Sequence, residues 1–291
     1  MNHPYIRTGL FIAALIIISA FKSDKPAYVI YTSEGKRADF GDLLKASVKS
    51  DIVYFGELHD NPISHWLEYE LMVGMHKELG EKLTLGAEMF ERDNQLMLDE
   101  YISGTISAKS FEQQARLWPN YKTDYKPLVD YAQKNQLKFV ATNIPRRYAS
   151  LVHGKGFEAL KDLDRAARET FAPLPIPYDS TLSCYSEMMK MGEMSGHASP
   201  NLPRAQAVKD ATMGYFIVEE RSRGSVVLHF NGAYHSDNRQ GILWYVDHYK
   251  RNLAQLTIST VQQDDMESLE EQHKGKADFI IVVPGSMTRT Y

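Results

Sequence analysis

Short hydrophobic runs alternate with helix-length amphipathic segments along most of this chain. Runs rich in β-branched and aromatic residues predict buried strands. Seven segments have this character: Tyr28–Tyr31 (a short edge strand), Asp51–Phe55, Leu83–Met89, Leu137–Thr142, Ser225–Phe230, Ala254–Thr260 and Phe279–Val283. Helical spacing of apolar residues predicts helices at Pro62–Leu79, at Tyr125–Lys134, and over Asn94–Arg116 as two helices broken at Gly104. Strands separated by helices indicate βαβ units, so we expect an α/β fold with a largely parallel sheet flanked by helices.

The stretch from about 154 to 222 departs from this alternation. It contains no strand-like run, and helical patterns occur at Phe157–Phe171 and Ser183–Met194. We therefore expect one α/β domain over residues 24–291 that carries a helical insertion or cap. Four methionines lie on or near the cap and offer either adaptable core packing or a soft surface for a flat apolar ligand: Met188, Met189, Met191 and Met194.

Residues 1–23 resemble a targeting segment. Arg7 gives a weakly basic start, and the run from Leu10 to Phe21 is apolar apart from Ser19. A run of this length is short for a membrane span and suits a signal peptide. A cleaved signal peptide, an uncleaved N-terminal anchor and a buried helix are the three interpretations. The only cysteine is Cys184, so no lipidated cysteine and no intrachain disulfide are expected.

The overall charge argues against nucleic acid as a partner. The formal net charge of the 291 residues is −4, and lysines and arginines are scattered rather than clustered. A nucleic-acid-binding protein usually concentrates positive charge on one face. The hydrophobic fraction of 43% allows a packed core, so a globular protein with a small-molecule or peptide ligand is expected.

Two of the predicted strands end in the same cassette, Gly-x-x-His. The first runs from Gly56 to His59, and the second from Gly232 to His235. A glycine after a buried strand allows a tight turn and a close approach of backbone to a ligand. Open α/β sheets bind their ligands at the carboxyl ends of the strands, so two distant segments point to one site.

Carboxylates and an amide follow the same strand ends. Glu57 precedes His59, Glu88 ends the second core strand, and Asn143 follows the third. In a parallel sheet these groups converge with His235. Two imidazoles and two carboxylates form a reasonable ligand set for a divalent metal such as zinc or manganese.

Structural roles for the same residues remain open. His59 can belong to a capped helix start with Asp60 or Asn61 as the cap. Glu57 and Glu88 can pair with arginines such as Arg146, and His235 can be a satisfied polar residue at a strand end.

Further candidates lie close to these motifs in the sequence. Gln206 and Asp210 are four apart and therefore share one helix face, which suggests contact with the site. Arg146 and Arg147 have forked donors suited to a carboxylate or a propionate. Three tyrosines in or near the cap are candidate axial haem ligands: Tyr148, Tyr178 and Tyr185. Four other histidines do not follow a predicted strand, and we interpret them as helix or loop residues: His65, His76, His153 and His197.

In this order the motifs resemble the ChaN-like haem-binding proteins of bacteria, which share a superfamily with the Tiki proteases and erythromycin-esterase-like enzymes. The resemblance spans about 51–283 and rests on these motifs: Gly56-Glu57-Leu58-His59-Asp60-Asn61, Gly86-Ala87-Glu88-Met89-Phe90, Asn143-Ile144-Pro145-Arg146, Ala205-Gln206 with Asp210, and Gly232-Ala233-Tyr234-His235. It implies an α/β domain with a helical subdomain, haem binding through a tyrosine, pairing of two protomers around cofacial haems, and a role with envelope partners in iron or haem acquisition. Many ChaN-like proteins are lipoproteins, and this chain lacks the necessary cysteine.

Two functional hypotheses follow. The first is a haem-binding protein of bacterial iron or haem uptake, periplasmic or exported. The second is a metal-dependent hydrolase, which the Tiki branch implies. There His59, His235 and one glutamate hold the metal while the other glutamate activates a water, and Asn143 or an arginine steadies the developing oxyanion.

Overall fold

The computed structural model describes residues 25–194 and 199–290. The leader at 1–23, His197 and the side chain of Met191 lie outside the described residues. The strands are β1 (Val29–Thr32), β2 (Arg37–Ala38), β3 (Ile52–Glu57), β4 (Leu83–Glu91), β5 (Phe139–Asn143), β6 (Val226–Gly232), β7 (Gln255–Gln263) and β8 (Phe279–Pro284). The α-helices are α1 (Phe40–Ser47), α2 (Pro62–Leu79), α3 (Gln95–Ile102), α4 (Ala108–Gln114), α5 (Lys126–Asn135), α6 (Arg146–Lys155), α7 (Arg165–Arg168), α8 (Ser183–Met194), α9 (Leu202–Glu220) and α10 (Ile242–Tyr249).

The strands form one sheet in the order β2-β1-β8-β7-β3-β6-β4-β5. The six strands from β8 to β5 are parallel, whereas β1 pairs antiparallel with both β2 and β8. The predicted α/β class and the largely parallel sheet are therefore confirmed. The expected edge strand is β1, but the short strand β2, which the sequence did not predict, covers its outer side.

Alternate side chains of the strands pack into different helical layers, as the twofold period of a strand requires. Val53 and Phe55 belong to a core with Leu67 and Leu71 of α2. Their neighbours Ile52 and Tyr54 pack instead with residues of α9 and α10. The central strand β3 is consequently buried on both faces, which accounts for its uninterrupted apolar sequence.

Local sequence sets the ends of the helices on the first face. Asn61 caps α2, since its side chain accepts hydrogen bonds from the backbone N–H groups of Ile63 and Ser64, both at 3.0 Å. Pro62 follows the cap, and Gly80 with φ of +55° ends the helix. The predicted break at Gly104 is confirmed, since this glycine has φ of +78° and separates α3 from α4.

The segment from 154 to 222 contains helices and no strand among its described residues. The single helix predicted over Phe157–Phe171 is wrong: a 3-10 helix covers Phe157–Asp162 and the short α7 follows. The reason is local, because the side chain of Asp164 accepts a hydrogen bond from the N–H of Ala167 and starts a new helix. The division into a domain and an insertion stays a prediction.

Within residues 25–194 and 199–290, no helix combines the length and the apolar character needed to cross a bilayer.

Gly214 sets the distance between α9 and α10. A Cβ at this position would lie 3.0 Å from Cβ of Tyr245 and 3.2 Å from the carbonyl oxygen of Ile242. Gly214→Ala should therefore lower the free energy of unfolding by about 1–3 kcal/mol, the usual cost of overpacking.

The matched control is Gly154→Ala in α6, where the added methyl group meets no atom within 4 Å. It should be neutral or stabilise the protein by up to about 1 kcal/mol, since alanine is the better helix former. Urea unfolding of both variants checks the pair, and equal stabilities would contradict the close helix contact.

Candidate functional site

A cavity of about 720 Å³ lies at the carboxyl ends of β3, β4, β5 and β6. It is lined by residues of both Gly-x-x-His cassettes, by the loop at 116–119, and by side chains of α6 and α9. Of the residues proposed from the sequence, seven line it: Glu57, His59, Glu88, Asn143, Arg146, Gln206 and His235. The structure therefore brings the two cassettes to one site, as their positions in a parallel sheet predict.

The first half of the site is the pair Glu57 and His59. Glu57 is buried at the end of β3, and its Oε1 lies 2.6 Å from Nδ1 of His59. Tyr125 donates a second hydrogen bond to the same oxygen, at 2.7 Å. Burial alone raises the pKa of Glu57, but the hydrogen bond from His59 and the nearby imidazole of His65 outweigh it and hold that pKa well below its usual range.

His59 is the accessible imidazole of the site. Its side chain is 36% exposed, and its ring meets the ring of Trp118 edge-on at a centroid distance of 4.9 Å. Burial lowers the pKa of His59, and the hydrogen bond and charge of Glu57 more than offset this, so the pKa is raised. Glu57 contacts Nδ1 of His59, so the other ring nitrogen, Nε2, points away from that carboxylate.

The second half of the site is a chain of three buried groups. His235 lies between Asp210, whose Oδ1 is 2.5 Å from Nδ1, and Glu88, whose Oε1 is 3.2 Å from Nε2. Tyr185 donates a hydrogen bond to the other oxygen of Asp210, at 2.7 Å. Burial lowers the pKa of His235, but the charges of Glu88 and Asp210 raise it to about 10, so this imidazole is positively charged at neutral pH. Its charge holds the pKa of Glu88 down at about 2 despite the opposing effect of burial.

The two halves meet at Gly232. Its backbone N–H donates to Oε2 of Glu88 at 2.9 Å. A Cβ on Gly232 would lie 2.7 Å from Nε2 of His59 and 3.6 Å from Oε2 of Glu88. Only glycine therefore allows the exposed imidazole and the buried carboxylate to approach the same point. Gly56 has a similar role, since a Cβ there would lie 2.7 Å from the carbonyl oxygen of Ile258.

The remaining proposed residues divide into those inside the cavity and those outside it. Asn143 donates to the carbonyl oxygen of Glu88 at 3.0 Å, and Gln206 lies 3.2 Å from His235, so both support the acid and imidazole groups. Arg147 is exposed and pairs with Asp93 instead of lining the cavity.

The three tyrosines proposed as haem ligands do not line the cavity. Tyr148 packs against Phe171 and lies under the Arg147 guanidinium. Tyr185 is fully buried behind Asp210, and Tyr178 packs against it. Burial raises the pKa of Tyr185 far above its usual value, so this phenol stays protonated.

The cavity also contains residues that the sequence did not single out. Tyr234, from the second cassette itself, is 39% exposed at its wall. Arg116, Trp118 and Lys209 line it as well. The motif Gly-Ala-Tyr-His was a usable indication for Tyr234, but Arg116 and Trp118 come from an irregular loop with no periodic pattern.

The proposed metal ligands do not form the tightest donor group. Glu57, His59, Glu88 and His235 are engaged in two separate acid–imidazole contacts, as described above. Among the described residues, one set of three side chains places its donor atoms within 4.8 Å of one another: Glu57, His65 and Glu68. His65 and Glu68 lie three residues apart on the buried face of α2, a spacing that could have indicated them.

Comparisons with known proteins identify relatives of the whole fold. A family model described as "Haem-binding uptake, Tiki superfamily, ChaN" matches residues 43–246. The structure is similar to ChaN of Campylobacter jejuni, described with cofacial haem binding, with a TM-score of 0.67 and 17% sequence identity over 89% of this chain and 97% of that one. It is also similar to the erythromycin esterase EreC, in a mutant with an open conformation, with a TM-score of 0.54 and 11% identity over 90% of this chain and 98% of that one. Both likenesses establish a shared fold.

A curated relative is the chloroplastic protein RETICULATA-RELATED 5 of Arabidopsis thaliana, which is 26% identical over 184 residues. The match covers 60% of this chain and 25% of that protein, so the chain spans about a quarter of the relative's length. The family model covers more than half of the chain. The protein therefore belongs to the ChaN family of haem-binding uptake proteins in the Tiki superfamily.

Proposed function

We propose that this protein binds haem in the cavity at the strand ends and serves haem or iron uptake in the bacterial cell envelope. Family membership supports a haem ligand, and the Campylobacter relative is described with haem bound. The observation that carries the proposal is the cavity's combination of an apolar wall with a cationic rim. A haem presents a flat apolar macrocycle, two propionates and an iron that needs an axial ligand.

The residues that line the cavity suit the macrocycle and the propionates of a haem. The apolar side chains suit the macrocycle: Leu58, Leu117, Trp118 and Ile144. Arg116 and Arg146 are exposed at the same cavity, and Lys209 is half-buried. Guanidinium groups pair well with carboxylates, so these residues suit the propionates.

We assign Tyr234 as the residue that would ligate the haem iron. In the part of the chain that the structure describes, it is the tyrosine that lines this cavity. Its hydroxyl donates a hydrogen bond to the carbonyl oxygen of Cys184, which fixes the ring at the wall. Burial raises the pKa of Tyr234 to about 12, so ligation of ferric iron requires loss of a proton.

Haem titration of the full chain tests the assignment. We expect a single Soret transition at one haem per chain. Tyr234→Phe should weaken binding by about tenfold or more and shift the Soret band, because even the loss of a group that is hydrogen-bonded to a metal ligand typically costs about 10- to 100-fold in affinity. Tyr178→Phe, outside the cavity, is the matched control and should bind like the parent.

Absence of a saturable Soret change in the parent chain would overturn the haem proposal. A parent-like spectrum in Tyr234→Phe, together with loss of binding in His59→Gln, would instead make His59 the ligand.

A hydrolase is a second candidate, and a different observation favours it. On the floor of the cavity His59 and Glu88 approach Gly232, and the charged His235 lies against Glu88, so a scissile carbonyl could be held there between an acid and a base. The Nδ1 atoms of the two imidazoles contact Glu57 and Asp210, which is the usual arrangement behind metal-bound histidines. A divalent metal bound there would lower the pKa of a water and polarise a carbonyl.

Hydrolysis of p-nitrophenyl acetate and of a fluorogenic peptide, with and without zinc or manganese, tests this candidate. His235→Gln should lower the rate by about 100-fold or more, since a positioned general acid or base contributes about that much. His248→Gln, an exposed histidine of α10, is the control and should leave the rate unchanged. Equal rates for both variants would remove the hydrolase candidate.

The envelope location rests on residues 1–23 alone. In a Gram-negative host we expect the full chain in the periplasmic or membrane fraction, and a variant lacking residues 1–23 in the cytosol. Fractionation with immunoblotting measures this, and a cytosolic full chain would contradict the proposal.

A further inference from the structure

Behind the floor of the cavity lies a second cluster of acid and imidazole groups, formed where α2 packs against the end of β3. His65 and Glu68 share one face of α2, and Glu57 closes β3 directly opposite. The exposed fractions are 6% for His65, 0% for Glu68 and 2% for Glu57. The cluster is therefore removed from water, while Glu57 also belongs to the cavity.

The distances within the cluster match those of a coordination shell. Nδ1 of His65 lies 3.4 Å from Oε2 of Glu57 and 3.1 Å from Oε2 of Glu68. Metal bonds of about 2.0–2.2 Å place neighbouring donors of a tetrahedral site about 3.4 Å apart. All three donor atoms lie within 4.8 Å of one another, so small side-chain shifts would bring them to that spacing.

Two carboxylate oxygens in the cluster lack a partner. Oε2 of Glu57 and Oε1 of Glu68 are buried and accept no hydrogen bond from the described residues. Leaving a buried acceptor unsatisfied costs about 1–3 kcal/mol, and more when the group is charged. In the part of the chain that the structure describes, neither carboxylate pairs with a lysine or an arginine. The groups of opposite character that face these carboxylates are the imidazoles of His59 and His65.

The orientation of the His65 ring directs Nδ1 at the two carboxylates. Nε2 lies 3.1 Å from the carbonyl oxygen of His59, which can only accept, so Nε2 carries the proton. Asp124 lies 3.5 Å from the same nitrogen. Nδ1 faces the two carboxylates, where an ion would replace the proton that it shares with Glu68, and a carbonyl and a carboxylate hold the opposite side, as in many metal-bound histidines.

His65 is the member of the cluster that borders a second cavity, through which an ion could enter. This cavity, of about 430 Å³, is also lined by Trp66 and Asp124. Asp124 adds negative charge at its inner end, which favours entry of a cation.

We propose that Glu57, His65 and Glu68 bind one divalent transition-metal ion, which ties α2 to β3 and holds Glu57 in contact with His59. One nitrogen and two oxygen donors without a thiolate suit zinc or manganese. The site lies behind the cavity, and its ion contacts neither haem nor substrate.

Metal analysis of the full chain, incubated with zinc or manganese chloride and then dialysed, tests this site. We expect about one metal per chain. Glu68→Gln and His65→Gln keep the side-chain size and should retain less than a tenth of it. Glu78→Gln, exposed on the same helix, is the matched control and should bind like the parent.

A thermal melt provides the second measurement. Removal of the ion with a chelator should lower the melting temperature of the parent by about 5–10 °C, as expected for an ion present at about 100 times its dissociation constant. The same chelator should not change the melting temperature of Glu68→Gln.

His235→Gln separates this site from a metal site inside the cavity, because it leaves the cluster intact and should keep the ion. Loss of the metal in His235→Gln with retention in Glu68→Gln would overturn the proposal. So would a metal-free parent in which Glu68→Gln melts at an unchanged temperature, which would indicate that a proton shared by the carboxyl groups replaces the ion.

Discussion

Compensation of buried negative charge organises this molecule. Glu57 and Glu88 end two strands of the same sheet and are almost completely buried. Removing an ionised carboxylate from water costs several kcal/mol unless opposite charge and hydrogen bonds accompany it. Two histidines meet this requirement: His59 at Glu57, and His235 at Glu88. The stability of the strand ends and the chemistry of the cavity therefore rest on the same contacts.

The glycines of the two cassettes make this compensation sterically feasible. At Gly56 the backbone of β3 passes so close to β7 that any side chain would collide with a carbonyl oxygen. At Gly232 the space that a Cβ would fill is next to the His59 imidazole. Each cassette thus combines a close backbone contact with an imidazole three residues later, which explains the spacing in physical terms.

The cavity has two chemically distinct layers. Its rim and wall are apolar and cationic, which suits a flat ligand with carboxylates, whereas its floor is a network of acids and imidazoles. A haem-binding protein needs the first layer and a hydrolase needs the second. The buried cluster around His65 lies beneath both, and it connects helix α2 to the same glutamate that positions His59.

The sequence by itself determined seven of the eight strands, the parallel sheet and the convergence of the two cassettes, because these follow from short-range periodicity and from the geometry of parallel strands. The family was indicated separately, by the resemblance of the motifs. The sequence also indicated which helix ends at Gly80 and where Gly104 interrupts another. It did not reveal Arg116 and Trp118, which reach the cavity from an irregular loop, or the exclusion of Tyr148, Tyr178 and Tyr185 from its lining. The contact of His65 with Glu57 was equally hidden, since Glu57 lies on another element, whereas the spacing of His65 and Glu68 was readable in the sequence. Only the tertiary structure decided these points, because they depend on side chains from elements that are distant in the chain and meet only when the helices pack on the sheet.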